Sequence, residues 1–265
     1  MGPWDQKVVA ITGGSAGLGQ VIARQFAQRG ARVALLARNP QRLNEAAGQF
    51  AASSVLAVPG DVADPETARR SIEQVTDRFG RLDVLVNNVG KSGRIELFRT
   101  TLDQYRDFME VNLHTAINCT HAAIDALQKT SGHVVNIGSL SSKTAWPFMA
   151  PYTTSKFALA AFNHHLRLEG PANVHYMLVC PGPIKRVDAG VRYDEQAQGL
   201  PDAARRPAAG ARVRGVDPAR LAARIIRGCE KRKAELMPLK ARLIYVALAS
   251  SPRLGDWLLR RKMRD

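Results

Sequence analysis

The sequence predicts an α/β protein built on a doubly wound parallel sheet, with helices on both faces in a three-layer α/β/α arrangement. Short apolar runs alternate with longer segments of helical periodicity over residues 1–180. The apolar runs, such as KVVAIT at 7–12 and RVALLA at 32–37, are uninterrupted, which is typical of strands covered on both faces. Gly30 ends one helical segment and Pro65 opens another, as these residue types usually do.

The elements follow one another in a regular order. Strands are predicted at 7–12, 32–37, 55–58, 83–87, 133–137, 174–180 and 234–237, the last as a short edge strand. Helices are predicted at 17–29, 41–51, 65–79, 102–129 (long enough to be broken once), 152–169 and 218–229. This alternation implies right-handed crossovers and a Rossmann-type sheet, whose ligands bind at the carboxyl ends of the strands.

The whole chain, 1–265, is predicted to form a single domain, because folds of this class often run beyond about 200 residues without splitting. Residues 183–217 interrupt the alternation with a stretch rich in Ala, Gly, Pro and Arg, and so long a loop is usually functional. We expect it to be a substrate loop or lid. Residues 239–265 form a basic extension, with one or two amphipathic helices over 239–262 interrupted at Pro252.

The net charge of +15 is unevenly distributed. Residues 1–184 hold 18 basic and 14 acidic side chains, whereas residues 185–265 hold 20 basic and 9 acidic ones. Such a balance attracts acidic substrates, anionic lipid or nucleic acid. A nucleic-acid partner is not predicted, because no binding motif accompanies the charge.

The sequence predicts a cytoplasmic protein. It shows no secretory signal and no apolar stretch of membrane-spanning length. The three cysteines, Cys119, Cys180 and Cys229, form no CxxC pair and suit a reducing compartment. No metal site is predicted, because the adjacent His164 and His165 point to different faces of their helix.

A glycine-rich turn, TGGSAGLG at 12–19, joins the first predicted strand to the first helix. Glycine lets the backbone approach a pyrophosphate closely, and the helix that follows presents free N–H groups and the positive end of its dipole. The turn therefore predicts a dinucleotide site. Its predicted members are Gly13, Ser15, Gly17, Leu18 and Gly19.

The residues after the second and third strands point to the choice of dinucleotide. Proteins that prefer NAD usually place an acid after the second strand to bind the ribose 2′-hydroxyl, but here Arg38 occupies that place. A guanidinium suits a 2′-phosphate, so NADP(H) is predicted and NAD(H) is less favoured. Asp61, with Val62 beside it, is predicted to accept a hydrogen bond from the adenine amino group, while Asp64 suits the N-cap of the next helix.

Four motifs in this order resemble those of the short-chain dehydrogenase/reductase family, in its single-domain form. They are TGGSAGLG at 12–19 for the family's TGxxxGxG, NNVG at 87–90 for NNAG, the series Ser139, Tyr152 and Lys156, and PG at 181–182. The resemblance is close over 7–182 and looser beyond. It implies an oxidoreductase that acts on CH–OH donors with NAD(P), and a homodimer or homotetramer.

The resemblance also implies further site residues. The additional cofactor contacts would be Asn88, Gly90, Tyr152, Lys156, Pro181, Gly182 and Ile184. The catalytic set would be Asn112, Ser139, Tyr152 and Lys156, with Asn112 holding a water that links Lys156 to solvent. Arg186 stands where the family has threonine, and it could contact the cofactor pyrophosphate or a substrate anion.

The chemistry of these residue types agrees with the resemblance. Tyr152 and Lys156 are four residues apart on a helix and share a face. A neighbouring ammonium favours a phenolate, which brings a tyrosine closer to the pKa of a general acid/base at neutral pH. The hydroxyl of Ser139 would stabilise charge that develops on the substrate oxygen.

Two alternatives concern the function. One is a sensor that binds NADP(H) without turnover, which the presence of all four catalytic residues argues against. The other concerns the substrate: it could be acidic, drawn by Lys91, Arg94, Lys185 and Arg186, or lipophilic, with the C-terminal segment in peripheral contact with a membrane.

Overall fold

The computed structural model describes residues 2–185, 196–205 and 215–264, and its centre is a parallel sheet of seven strands. The strands are β1 (Val8–Thr12), β2 (Arg32–Ala37), β3 (Val55–Pro59), β4 (Val84–Asn87), β5 (His133–Ile137), β6 (His175–Val179) and β7 (Glu235–Leu236). They lie in the order β3-β2-β1-β4-β5-β6-β7, and every neighbouring pair is parallel. The predicted doubly wound sheet is confirmed.

Helices cover both faces of this sheet. They are α1 (Gly17–Ala27), α2 (Pro40–Ala47), α3 (Pro65–Phe79), α4 (Leu102–Met109), α5 (Thr115–Thr130), α6 (Ala150–Glu169), α7 (Asp202–Arg205), α8 (Pro218–Glu230), α9 (Leu239–Ser250) and α10 (Pro252–Arg264). Short 3-10 helices at Leu97–Arg99 and Leu140–Ser142 lie in the connections. Several helices begin at the predicted signals: Asp64 caps α3 by accepting from the Thr67 N–H at 2.7 Å.

Alternating strand residues belong to two hydrophobic layers, one on each face of the sheet. In β1, Val9 and Ile11 pack into one layer, while Val8 and Ala10 pack into the other. Side chains of α1, α2 and α8 complete the first layer, and side chains of α3 and α5 complete the second. Since successive strand residues point to opposite faces, this double coverage explains the uninterrupted apolar runs of the sequence.

One predicted helix boundary needs correction, and the break allowed for in the long helix is found. The second helix is predicted over 41–51, but α2 ends at Ala47, because the backbone then tightens into i→i+3 turns in which the Phe50 N–H donates to Ala47 O at 3.0 Å. The helix expected over 102–129 is broken once by a π-helical turn at Glu110–His114, between α4 and α5. That turn becomes part of the site described below.

The predicted substrate loop, 183–217, is described only at 183–185, 196–205 and 215–217. Its two ends pair with each other, because Ile184 and Val216 form a parallel bridge and the Lys185 N–H donates to Val216 O at 2.9 Å. Within the described residues, no helix combines the length and apolarity that crossing a membrane requires.

Candidate active site

One cavity of about 730 Å³ opens at the carboxyl ends of the central strands. The predicted site residues that line it are Gly13, Ser15, Gly17, Leu18, Arg38, Asp61, Val62, Asn88, Gly90, Ser139, Tyr152, Lys156, Pro181, Gly182 and Ile184. The two remaining predicted residues, Gly19 and Asn112, lie behind this lining and contact residues of it. The structure therefore brings motifs that are up to about 170 residues apart in the chain around a single space.

The glycine turn has a backbone that other residues would not adopt. Gly13 and Gly17 have φ angles of +65° and +55°, in the left-handed region that favours glycine. A Cβ at Gly19 would collide with the Gly13 carbonyl oxygen and lie 2.7 Å from Nδ2 of Asn88. The residue before α1 is Ala16, whose side chain cannot cap the helix. The first N–H groups of α1 are thus left for an anionic group in the cavity, which fits a pyrophosphate.

Asn88 connects this turn to the end of β4. Its Nδ2 donates to Thr12 O at 3.0 Å, and its backbone N–H donates to Thr12 Oγ1 at 3.0 Å. The Val89 N–H donates to the same hydroxyl at 3.1 Å. These bonds fix the two neighbouring loops relative to each other, so Asn88 supports the glycine turn as well as lining the cavity.

Two arginines stand at the far end of the cavity, beyond β2. Arg38 lies 3.5 Å from the Asp61 carboxylate, and both side chains are exposed. Arg42 also lines the cavity, although the sequence did not single it out. Asn39 places it there, because its Oδ1 accepts from the Arg42 N–H at 2.9 Å and so begins α2. No local pattern in the sequence distinguishes Arg42 from a solvated helical arginine.

Lys156 is buried at the base of the cavity. Its Nζ donates to the Ile137 carbonyl oxygen at 2.8 Å, at the carboxyl end of β5. Burial, which penalises the charged form, lowers the pKa of Lys156 from 10.5 to about 8. Tyr152 lies one turn earlier on α6, half-buried and in the cavity lining. The Tyr–Lys pair thus faces the same space as the glycine turn, as its spacing predicts.

Asn112 lies in the π-helical turn and is buried. Its Oδ1 accepts from the Lys91 N–H at 2.8 Å, and its Nδ2 donates to Lys91 O at 3.1 Å and to Ser155 Oγ at 2.9 Å. Asn112 therefore joins the loop after β4 to α6. Gly90 makes room for this arrangement, because a Cβ there would lie 2.9 Å from Asn112 Oδ1 and 3.3 Å from Lys156 Nζ.

Ser139 follows β5 and begins the 3-10 helix at Leu140–Ser142. Its Oγ accepts from the Ser141 N–H at 3.0 Å, which fixes the hydroxyl oxygen while leaving its hydrogen able to donate toward the cavity. Trp146 and Met149, in the connection to α6, line the same cavity and escaped the sequence prediction. They lie outside any regular element, so no periodic pattern pointed to them.

Of the cations predicted to attract an acidic substrate, two line the cavity. Lys91 forms an ion pair with Asp107, and Arg94 is buried and donates to Ala204 O at 2.8 Å and to Gly93 O at 3.0 Å. Lys185 is exposed and is not in the lining. Arg186 falls outside the described residues. Arg205, which the sequence did not single out, lines the cavity from α7.

The model of the short chain dehydrogenase family matches residues 7–197 of this chain. The chain belongs to the short-chain dehydrogenase family. Members of this family are oxidoreductases that use nicotinamide cofactors. The family membership that the four motifs suggested is thereby confirmed.

Curated relatives are about a third identical to this short-chain dehydrogenase over the stretch that can be aligned. The 11-beta-hydroxysteroid dehydrogenase 1A of Arabidopsis thaliana is 37% identical over 187 residues, which is 68% of this chain and 52% of that protein. The dehydrogenase/reductase SDR family member 7B of Mus musculus is 35% identical over 185 residues, or 67% of this chain and 57% of that protein. The chain thus spans little more than half the length of these relatives.

Solved structures of short-chain dehydrogenases have the same fold. One from Streptomyces avermitilis has a TM-score of 0.78, with 24% identity and coverage of 100% of both chains. One from Bacillus anthracis str. 'Ames Ancestor' has a TM-score of 0.74, with 24% identity and coverage of 88% of this chain and 95% of that chain. At this identity the similarity concerns the fold alone.

Proposed function

We propose that this short-chain dehydrogenase interconverts a ketone or aldehyde and an alcohol with NADP(H), and that Tyr152 is its general acid/base. The observation that carries the proposal is the position of Tyr152 and the buried Lys156, one helical turn apart, in the cavity that also receives Ser139 and the glycine turn. The nicotinamide ring, when bound, supplies or accepts the hydride.

The chain's own residues would transfer the proton and stabilise the charge that develops on the substrate oxygen. In the reducing direction Tyr152 donates its hydroxyl proton to the substrate carbonyl oxygen, and in the reverse direction it accepts the proton of the alcohol. The Ser139 hydroxyl donates a hydrogen bond to the same oxygen and stabilises its developing charge. The ammonium of Lys156 favours the phenolate form of Tyr152. Asn112 holds the loop after β4 against α6, and a water beside it would connect Lys156 to solvent.

NADP(H) rather than NAD(H) is the proposed cofactor. Arg38 and Arg42 put two guanidinium groups at the end of the cavity beyond β2, and a 2′-phosphate is the group they suit. The remaining proposed cofactor contacts come from Gly13, Ser15, Gly17, Leu18, Asp61, Val62, Asn88, Gly90, Pro181, Gly182 and Ile184.

A lipophilic substrate is favoured over an acidic one. Lys91 is already paired with Asp107, and the guanidinium of Arg94 donates to two backbone carbonyls, so both cations are engaged within the protein. Trp146 and Met149 add apolar surface to the cavity. Several relatives are named 11-beta-hydroxysteroid dehydrogenases, which supports a bulky apolar alcohol or ketone. The segment 183–217, which returns to Ile184 at Val216, is the proposed substrate loop.

The test follows NADPH absorbance with a panel of ketosteroids, long-chain aldehydes, β-ketoacyl thioesters, quinones and sugars. Turnover of one class is expected, and Tyr152→Phe should slow it by about a hundredfold or more while NADPH binding persists. Tyr105→Phe, on α4 and away from the cavity lining, is the matched control and should leave the rate unchanged. A Tyr152→Phe variant as fast as the parent would refute the mechanism. Tight NADPH binding with no turnover of any class would favour the sensor instead.

A further inference from the structure

The C-terminal hairpin, defined here as α9 and α10 (residues 239–264), carries an apolar stripe that the described part of the chain leaves exposed. Within α9, all of which the structure describes, no side chain is fully buried. Leu239, Leu243 and Val246 are 71%, 64% and 55% exposed. Their spacing of four and three residues puts them on one face of the helix. A contiguous exposed apolar face of this kind marks a surface that binds something.

The remaining sides of α9 pack against α10 and against the rest of the chain. Leu248 packs against Gly255 of α10, where any Cβ would collide with the leucine side chain. Tyr245 lies under Lys143, whose Nζ is 5.3 Å from the ring centroid, and Arg242 lies 3.7 Å from the Glu235 carboxylate. The exposed stripe therefore contributes little to holding α9 in place, and its exposure is compatible with a folded hairpin.

Positive charge borders the stripe. Residues 239–264 hold seven basic side chains and one acidic one. Lys240 and Arg242 follow the first residue of the stripe by one and three positions, so they flank it on either side of α9. On α10, Arg253 and Arg260 are exposed beside the half-exposed Leu254 and Trp257. Basic side chains around leucine and tryptophan are typical of helices that lie in the interface of a membrane.

The hairpin leaves the sheet at the edge where the cavity opens. Leu236 ends β7 and α9 begins three residues later, so the hairpin starts from the carboxyl ends of the strands. A surface that covered the hairpin would thus lie near the entrance of the cavity.

We propose that the C-terminal hairpin binds the surface of an anionic phospholipid bilayer, with the stripe of α9 among the acyl chains and the arginines and lysine at the headgroups. A second copy of this chain is a poorer occupant, because it would bring one basic hairpin against another. The binding goes beyond the proposed reaction and does not depend on it, since none of the hairpin's described side chains lines the cavity.

The experiment is co-sedimentation of the full chain with vesicles of phosphatidylcholine alone and of phosphatidylcholine mixed with phosphatidylglycerol. We expect the protein to pellet with the mixed vesicles and to be partly released by high salt. Leu243→Glu should weaken binding by about tenfold or more, because it removes one buried leucine from the lipid. Arg253→Gln should weaken it by about fivefold.

Leu168→Glu is the matched control, because Leu168 is 69% exposed on α6, outside the hairpin, and the charge change is the same. It should bind like the parent. Equal pelleting with both kinds of vesicle, equal losses for Leu243→Glu and Leu168→Glu, or no pelleting at all would each overturn the proposal. Sedimentation velocity without lipid tests whether a second copy of the chain covers the stripe instead. An oligomer that Leu243→Glu dissociates would show that the stripe is an interface between copies and would overturn the proposal.

Discussion

Replacing Lys156 by methionine should make this protein more stable at neutral pH while abolishing its proposed chemistry. Burial lowers the pKa of Lys156 from 10.5 to about 8, so at neutral pH the charged form of Lys156 destabilises the folded state. One pKa unit is about 1.4 kcal/mol, which makes the penalty about 3 kcal/mol at pH 7. Methionine has a similar length and no charge, but it leaves the Ile137 carbonyl without its 2.8 Å partner, at a cost of about 1 kcal/mol. The expected net gain is about 2 kcal/mol.

The difference in free energy of unfolding between parent and variant should change with pH in a defined direction. Because the folded pKa of Lys156 lies below the unfolded one, the penalty is complete below about pH 8. Between about pH 8 and 10.5 the unfolded chain binds a proton that the folded chain has lost, so the parent gains about 1.4 kcal/mol per pH unit relative to the variant. The free energies of unfolding of parent and Lys156→Met should therefore cross between pH 8 and 10.5. Above pH 10.5 the two should run parallel, with the parent more stable by the roughly 1 kcal/mol of its hydrogen bond to Ile137 O.

The assay is urea unfolding of both proteins at a series of pH values, followed by circular dichroism. Lys129→Met, which removes an exposed lysine in the last turn of α5, is the control and should give a curve parallel to that of the parent. A difference between parent and Lys156→Met that is the same at every pH would refute the reasoning. A variant that is less stable than the parent at pH 7 would show that the lost hydrogen bond outweighs the relieved charge.

Two further predictions concern the cofactor end of the cavity and the opposite edge of the sheet. Arg38→Gln combined with Arg42→Gln should weaken NADPH binding roughly tenfold to hundredfold and NADH binding much less. The reason is that only NADPH carries the 2′-phosphate with which the two guanidinium groups would pair. Equal losses of affinity for the two cofactors in fluorescence titrations would contradict the assignment. His133 donates to or accepts from His175, with their Nδ1 atoms 2.9 Å apart, and burial lowers the pKa of His133 to about 4. Its folded pKa lies below the unfolded 6.5, so the parent should lose about 1.4 kcal/mol of stability for each pH unit as the pH falls from 6.5 to 4. His133→Gln should make this acid loss shallower in urea unfolding, and an unchanged profile would locate the acid sensitivity elsewhere.

The sheet could be predicted from the sequence because its signals are local. Strands that are covered on both faces appear in the sequence as continuous apolar runs. The strands β2 and β5 occupy the residues predicted for them. The cavity lining was predictable for a related reason, since the carboxyl ends of parallel strands meet at one edge and the motifs follow those ends. Arg42 was missed although its helix was predicted, because nothing in the helical period distinguishes a cofactor-facing arginine from a solvated one.

Other features depend on contacts that no local pattern contains. The π-helical turn at Glu110–His114 interrupts a stretch that continues helical on both sides, so periodicity allows a break without locating it. The turn brings the Asn112 amide to the backbone of Lys91, 21 residues away in the chain. Ser139 caps the 3-10 helix at Leu140–Ser142 through a local hydrogen bond to the Ser141 N–H. Its position at the cavity, by contrast, depends on where β5 ends in the sheet.

Three buried asparagines align the helix that carries Lys156 against the central strands. Nδ2 of Asn87 in β4 donates to Oδ1 of Asn136 in β5 at 2.9 Å, and Nδ2 of Asn136 donates to Oδ1 of Asn163 in α6 at 3.0 Å. An apolar contact would let α6 slide or rotate against the strands, whereas amide hydrogen bonds in a buried interface allow one alignment. Asn163 lies two turns after Lys156, so the alignment that forms these two hydrogen bonds also brings Lys156 Nζ to the Ile137 carbonyl. The chain of amide hydrogen bonds therefore fixes the helix that presents Tyr152 and Lys156 to the cavity.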